Sequence, residues 1–286
     1  MLTVIGDLVA DLIVLGGTRL ERGTDNAAEV RLTRGGSAAN VAAAAGSRHP
    51  ARFIGRIGDD TLGDALVREL ESTGVDVRVQ RAGRTGSIVI LVDDEGERTM
   101  ITDRGAAAEL GTIEEGWLDG SEWVHMPLYG FTAPASRRTL LEAAQSAAAH
   151  GIRVSIDLSS VATMRELGLD VLREILSAVS PAVVFANADE AALAVEMMLS
   201  PAGDGAYVVK RGGDPVTVTV EGSTVEVEVE RIDDILDSTG AGDAFAAGYL
   251  VAVVGGASPQ EAARAGSDLA VEALRRPGAL PGSQRS

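Results

Sequence analysis

Short apolar runs rich in β-branched residues alternate with longer helical patterns along this 286-residue chain, most regularly in its second half. Strands with this spacing are parallel, because a crossover between parallel neighbours needs a helix or a similar length of chain. We therefore predict an α/β fold whose mainly parallel central sheet is covered by helices on both faces. Ligands of such sheets bind at the carboxyl ends of the strands.

The apolar runs and the helical periodicity predict a set of element boundaries. Strands are predicted over residues 2–5, 87–93, 98–102, 123–125, 153–157, 182–186, 206–210, 216–220 and 225–229. Helices are predicted over residues 38–47, 61–73, 134–150, 171–178, 189–199, 243–254 and 259–274. The strands at 216–220 and 225–229 are predicted to form a hairpin with a four-residue turn from Glu221 to Thr224.

Two regions, residues 12–34 and 85–104, fit the parallel core poorly, because they are extended, alternate polar with apolar residues and lack helical periodicity. We expect them to form a small antiparallel sheet that projects over the active site as a lid. No linker divides the rest of the chain, so we expect residues 1–286 to form a single domain with this lid.

The composition excludes several classes of protein. The 42 acidic and 25 basic side chains give a net charge of −17, which is unsuited to general nucleic-acid binding. The chain has no Cys for disulfides, metal–thiolate sites or a thiol nucleophile, and His49, His125 and His150 are too scattered for an HExxH zinc site. The longest apolar run, residues 244–257, is too short to cross a bilayer. We expect a cytoplasmic protein without nucleic-acid or membrane partners.

The sharpest motif, Asp-Ser-Thr-Gly-Ala-Gly-Asp-Ala-Phe at residues 237–245, follows a strand-like stretch and opens an apolar helix. Gly240 and Gly242 let the backbone approach a ligand closely, and the N–H groups of a first helical turn attract anions. A carboxylate at Asp243 would repel phosphate, but it could accept the proton of an alcohol that attacks phosphorus. Alternatively, the segment is a glycine turn before an acidic helix start, which the helix dipole favours by itself.

A second glycine segment, Arg34 to Ala42, leads into an Ala-rich helix. Gly35 and Gly36 allow backbone contact with a small ligand, and the amide of Asn40 can both donate to and accept from a hydroxyl group. Asp11 follows the first strand, where its carboxylate could bind two sugar hydroxyls or be a solvated loop acid.

Together, these segments resemble the signatures of the PfkB, or ribokinase-like, family of small-molecule kinases. Residues 35–42 and 55–77 are similar to the amino-terminal signature, and residues 237–250 match the carboxy-terminal one nearly residue for residue. The resemblance covers essentially the whole chain and implies a ribokinase-like three-layer α/β/α fold with a small β-sheet lid. It also implies an ATP-dependent phosphotransferase with an alcohol group as acceptor and Mg²⁺ as a cofactor. It leaves activation by a monovalent cation such as K⁺ open.

The resemblance implies roles for the residues around the reacting groups. Asp243 is expected to be the catalytic base. The expected anion hole consists of the backbone N–H groups of Gly240, Ala241 and Gly242. The residues expected to hold the substrate are Asp11, Gly35, Gly36 and Asn40.

The resemblance also implies a nucleotide and metal site. Asn187 and Glu190 match an NxxE motif and are expected near Mg²⁺ and the phosphates, with Glu190 acting through water. Lys210 could neutralise phosphate charge or be an ordinary strand-end lysine. The other residues expected at the nucleotide are Gly212, Thr239, Gly278 and Ala279.

The resemblance identifies the substrate less specifically than it identifies the phosphate-transferring residues. After Asp157 the chain lacks the Asn and Arg found at the matching positions of many sugar-acid and fructose kinases of the family. The first hypothesis is a ribose-like or fructose-like sugar, or a sugar acid such as 2-keto-3-deoxygluconate. Arg98 and Arg104 could hold the carboxylate of such an acid, or they are solvated lid arginines.

Three other functions are weighed against a sugar kinase. A nucleoside kinase is the second hypothesis, although the chain has few aromatic residues to stack on a base. A non-catalytic sugar-binding protein is less consistent with the presence of Asp243. A Rossmann dehydrogenase would need a glycine fingerprint after the first strand, and residues 6–11 do not supply one. The lid is also expected to form the interface of a homodimer.

Overall fold

The computed structural model describes residues 1–16, 20–93, 98–200, 203–232 and 239–275. Thirteen strands are present in these ranges and are numbered in chain order. They are β1 Leu2–Ile5, β2 Val9–Leu15, β3 Glu29–Gly35, β4 Ala51–Ile57, β5 Val75–Arg81, β6 Thr85–Val92, β7 Arg98–Gly105, β8 Trp123–Pro127, β9 Arg153–Asp157, β10 Val183–Asn187, β11 Ala206–Arg211, β12 Asp214–Val220 and β13 Ser223–Val227.

Seven α-helices connect or follow these strands in the described ranges. They are α1 Ser37–Gly46, α2 Thr61–Glu71, α3 Pro134–Ala149, α4 Val161–Val179, α5 Ala188–Glu196, α6 Ala241–Val254 and α7 Pro259–Leu274. None of these helices is both long enough and apolar enough to cross a membrane.

Nine strands form the central sheet in the order β13-β12-β11-β10-β9-β8-β1-β4-β5. The strands from β11 to β5 in this order are parallel, whereas β12 and β13 form an antiparallel hairpin at one edge. Helices α1, α2, α6 and α7 cover one face and α3, α4 and α5 cover the other. The predicted parallel sheet with helices on both faces is confirmed.

Strand β1 illustrates why the central strands are mostly apolar and why their polar residues are paired, as Thr3 is with the Ser121 hydroxyl. Leu2 and Val4 belong to the hydrophobic cluster on one face, Ile5 belongs to the cluster on the other, and all three are fully buried. A strand covered on both faces cannot alternate polar and apolar residues without burying unpaired polar groups.

The remaining four strands form a separate sheet, the small sheet, in the order β3-β2-β6-β7. The two regions that fitted the parallel core poorly each contribute two of its strands. The prediction that this sheet is antiparallel was wrong for its central pair, because β2 and β6 run parallel. On its outer face Leu12 pairs with Leu32 and Val89, and Val89 pairs with Ile101, so that one apolar row crosses all four strands. Leu32 and Ile101 are each 60% exposed.

Several predicted boundaries were wrong for identifiable reasons. Strands β4 and β5 were not predicted, because arginines interrupt their apolar runs. Helix α4 begins ten residues before its prediction, and Gly168 interrupts it with a φ of 74°. The hairpin of β12 and β13 is tighter than predicted, because Glu221 and Gly222 both have positive φ and close it in two residues.

Candidate active site

A cavity of about 810 Å³ lies between the small sheet and the carboxyl ends of the central strands. Asp157, Asn187 and Lys210 reach it from the ends of β9, β10 and β11. The small sheet supplies Asp11 and an apolar wall that includes Ile88. The cavity is therefore at the edge where parallel sheets of this kind bind ligands.

Asp243 lies in the first turn of α6, which Gly240 precedes with a left-handed φ of 74°. Its Oδ1 accepts a hydrogen bond from the Ser37 hydroxyl at 2.7 Å, and its Oδ2 accepts one from Asn40 Nδ2 at 2.9 Å. Burial raises the pKa of Asp243 to about 6, although these two hydrogen bonds lower it. The group can therefore take up a proton near neutral pH and is held on two sides by donors.

The glycine pair before α1 fixes how this helix meets the first strand. Gly36 has a φ of 96°, and a Cβ at this position would lie 2.3 Å from the backbone oxygen of Asp7. A Cβ at Gly35 would lie 2.1 Å from Asp11 Oδ1. A side chain at either position would displace Asp11 or the start of α1, which carries Asn40.

Asp11 has a less complete set of partners than Asp243. It is 7% exposed, and burial raises its pKa to about 6, against the effect of Arg34 and with that of Asp243. Among the described residues, its buried Oδ1 has no hydrogen-bond partner. Since buried polar atoms are nearly always satisfied, this oxygen is suited to a ligand donor.

Lys210 and Asp157 form an ion pair at the bottom of the cavity, with 2.7 Å between Nζ and Oδ2. Burial lowers the pKa of Lys210, but the nearby carboxylates, Asp157 first among them, together leave the pKa raised. The ammonium group lies 3.4 Å from where a Cβ of Gly242 would be. A positive charge thus stands beside the glycine turn that opens α6.

Asn187 and Glu190 form a capping box at the start of α5. Both oxygens of the Glu190 carboxylate accept hydrogen bonds from Asn187, at 2.8 Å from its backbone N–H and at 2.7 Å from its side-chain amide. Burial, together with the charge of Asp157, raises the pKa of Glu190 to about 7. Among the described residues, no group of three or more His, Asp or Glu side chains is arranged to hold a metal ion directly.

Arg104 connects the small sheet to the central sheet. Its guanidinium donates to both carboxylate oxygens of Asp7, each at 2.7 Å, and to the Thr132 hydroxyl at 2.7 Å. Two of its five N–H groups remain for other acceptors. The side chain lines the cavity, so a substrate anion would share this arginine with Asp7.

The structure brings most of the predicted site residues together. Those that line the cavity are Asp11, Gly36, Asn40, Arg104, Asn187, Glu190, Lys210, Gly212, Thr239, Gly240, Ala241, Gly242 and Asp243. Gly35 does not line it but packs against Asp11. Gly278 and Ala279 lie outside the described residues.

Sequence reasoning assigned no role to three polar residues of the site. Ser37 contacts Asp243, Asp157 pairs with Lys210, and Asp7 holds Arg104. Asp157 and Asp7 had a recognisable position in the sequence, because Asp157 ends a parallel strand and Asp7 lies two residues after one. Ser37 had no such position beyond its place in the glycine segment.

The chain is similar to several known proteins. The family described as pfkB family carbohydrate kinase matches residues 1–285. A protein from Halopiger xanaduensis named ATP-dependent ribose-1-phosphate kinase is 39% identical over 79% of this chain and 76% of its own length. A fructokinase from Salmonella typhimurium is 28% identical over 90% and 86%. The crystal structure of adenosine kinase from Sinorhizobium meliloti has a TM-score of 0.87 and 26% identity, and covers 98% of this chain and 95% of that one.

Proposed function

The chain belongs to the pfkB family of carbohydrate kinases, and we propose that it transfers the γ-phosphoryl group of ATP to a hydroxyl of a sugar derivative, with Asp243 as the base. A phosphotransferase of sugars or nucleosides that uses ATP is what its relatives support. The roles of individual residues are part of the proposal.

The observation that carries the proposal is the position of Asp243. The carboxylate is buried in the first turn of α6 and lines the cavity. It accepts hydrogen bonds from Ser37 and Asn40 on α1, which lies about two hundred residues earlier in the chain. A carboxylate has about four lone-pair sites, so a substrate hydroxyl can join Ser37 and Asn40 as a third donor. The hydroxyl gives its proton to Asp243 as its oxygen attacks the γ-phosphorus, and ADP leaves.

The start of α6 is suited to hold the charge of the transferring group. The backbone N–H groups of Gly240, Ala241 and Gly242 belong to the glycine turn and first helical turn, where N–H groups lack helical partners. Lys210 adds a full positive charge next to this turn. We propose that these groups form the anion hole and that Asp157 holds Lys210 in place.

Asn187 and Glu190 are placed to bind Mg²⁺ indirectly, through the water molecules that the ion keeps. The capping box occupies both carboxylate oxygens of Glu190, so direct coordination would break it, whereas Mg²⁺ usually keeps several waters. A nearby cation would also stabilise the charged form of Glu190, which its burial disfavours. When bound, the ion would neutralise phosphate charge. Activation by K⁺ stays a prediction.

The proposed substrate is a sugar derivative with a ribose-like ring. Asp11 and Asn40 would hold its hydroxyls, and Arg98 and Arg104 would meet a negative substituent. The names of two relatives, a ribose-1-phosphate kinase and an adenosine kinase, share the ribose unit and differ in what it carries. A nucleoside stays the alternative, because Ile88, Ile90 and Met100 give the small sheet an apolar wall that a base could cover.

We also propose that the chain is one domain whose small sheet acts as a lid and forms a homodimer. The support is the exposed apolar row on the outer face of that sheet, including Leu32 and Ile101, because exposed apolar patches mark interfaces. Introducing a charge with Ile101→Lys should yield a monomer in light scattering. A cytoplasmic location stays a prediction.

The proposal is tested by an ATP-consumption screen with Mg²⁺, with and without K⁺. The acceptors are ribose-1-phosphate, ribose, fructose, 2-keto-3-deoxygluconate and adenosine, and Asp243→Asn is the blank. We expect turnover of a sugar derivative that is absent in the blank. Turnover of adenosine alone would establish the nucleoside alternative, and no turnover of any acceptor would contradict the proposed substrate class.

A further inference from the structure

Arg34 is a buried charged residue at the end of β3 that none of the roles above uses. Its side chain is fully buried, and its Nη1 donates to Asn40 Oδ1 at 2.8 Å. Its Nε lies 3.6 Å from a carboxylate oxygen of Glu69 on α2. A buried ion pair is often no more stabilising than apolar residues of similar volume, so stability alone does not account for an arginine here.

The contact with Arg34 determines what Asn40 can do. A guanidinium only donates hydrogen bonds, so the amide oxygen of Asn40 must face Arg34, and its nitrogen then faces Asp243 Oδ2 at 2.9 Å. One N–H of this amide is used by Asp243, and the second remains for a substrate oxygen. Asn40 is therefore a donor towards the cavity, although its side chain alone could equally present an acceptor.

The geometry points to Arg34 as a positioning residue that acts through Asn40, keeping amide N–H groups directed at the base and at the substrate. The inference rests on the proposed role of Asp243. Once Asp243 has taken the substrate proton, a free amide could turn and accept a hydrogen bond from the acid. Arg34 opposes that turn, which favours release of the proton and return of the base to its ionised form.

The charged groups around Asp243 come from several elements. Arg34 on β3 and Lys210 on β11 are positive, and Asp157 on β9 and Asp11 on β2 are negative. Burial lowers the pKa of Arg34, whereas the charges of Glu69, Asp243 and Asp11 raise it. Removing Arg34 should therefore raise the pKa of Asp243 through both its charge and its hold on Asn40.

A double-mutant cycle tests whether Arg34 acts through Asn40. We expect Arg34→Met to lower kcat roughly tenfold and Asn40→Ala roughly thirtyfold, with the double variant within about twofold of Asn40→Ala. Effects on kcat that multiply in the double variant would overturn the inference. Arg31→Met is the matched control, because Arg31 lies on the same strand in an exposed pair with Glu29.

A second measurement does not depend on turnover. Carboxyl ¹³C NMR of the wild type, with Asp243→Asn for assignment, gives the pKa of Asp243 directly. We expect an upward shift of about half a unit in Arg34→Met, and no shift would overturn the inference. If Arg34→Met does not fold in a thermal melt, Arg34→Lys replaces it in both experiments. An active Asp243→Asn would instead refute the proposed base, while the NMR shift would still report on Arg34.

Discussion

The two sides of the cavity satisfy their polar groups differently. On the side of α1 and α6, called here the floor, both oxygens of Asp243 receive hydrogen bonds and Lys210 is paired with Asp157. On the side of the small sheet, the roof, Asp11 has a buried oxygen without a partner among the described residues. An unsatisfied buried polar atom costs about 1–3 kcal/mol, which a substrate hydroxyl can recover. The floor is thus organised before the substrate arrives, and the roof is completed by it.

The largest expected effect is on the floor. Asp243→Asn removes the proton acceptor and keeps the shape of the side chain, so kcat should fall roughly 10³-fold while KM changes only a few-fold. Steady-state kinetics measure both. The matched control is Asp268→Asn, which removes an exposed acid from α7. A kcat within tenfold of the wild type would mean that another group takes the proton.

The corresponding change on the roof should act on binding. Asp11→Asn replaces a charged acceptor of sugar hydroxyls by a neutral amide, so KM for the substrate should rise roughly 30–100-fold with a smaller change in kcat. Asp103→Asn is the control, because Asp103 is an exposed acid of the same sheet paired with Arg84. If Asp11→Asn lowered kcat and left KM unchanged, the distinction between floor and roof would be lost.

Lys210 tests whether the floor is also held together by its charges. Lys210→Met should lower kcat roughly tenfold to thirtyfold through loss of phosphate charge stabilisation, and should lower the melting temperature by leaving Asp157 unpaired. Adding Asp157→Asn should restore the melting temperature but not kcat. Recovery of both in the double variant would show that Lys210 serves the structure alone.

The smallest effect concerns pH, and its sign differs between activity and stability. The pKa of Asp243 is raised from 3.8 to about 6, so kcat/KM should rise with pH and level off above the raised pKa, because the base must be ionised.

For stability, the raised pKa of Asp11 means that the folded state binds more protons than the unfolded chain between about pH 4 and 6. Its stabilising contribution is present at low pH and lost as pH rises through the folded pKa. Urea unfolding should therefore show that Asp11→Asn stabilises the protein by about 1 kcal/mol more at pH 8 than at pH 5.

Much of the fold can be predicted from patterns within short stretches of the sequence. The buried parallel strands β1 and β9 are short runs rich in β-branched residues, and their predicted limits match the observed ones. Strand β5 could not be recognised in this way. It lies at the edge of the central sheet, where Arg78 and Gln80 can reach solvent or loops, so its sequence need not be apolar throughout.

The site was predictable to the extent that its residues stand in contiguous segments. Asp243 and Asn40 could be named from their glycine turns, whereas the pairing of Lys210 with Asp157 joins two strands 53 residues apart. That pairing depends on β9, β10 and β11 being neighbours, which is a property of the sheet order. Likewise, nothing in the sequence around Arg34 indicates that its charge would be buried against Asn40.

The order of strands in the central sheet has a consequence for synthesis of the chain. Strand β1 pairs with β4 on one side and β8 on the other, so one of its edges stays open until residue 127 has been made. Asp11 and Asn40 emerge early, but α6, which packs on α1, follows some two hundred residues later. An incomplete chain therefore contains the proposed substrate contacts without the proposed base. During this interval it also exposes an apolar strand edge on which another chain could pair, which is when chaperones should matter most.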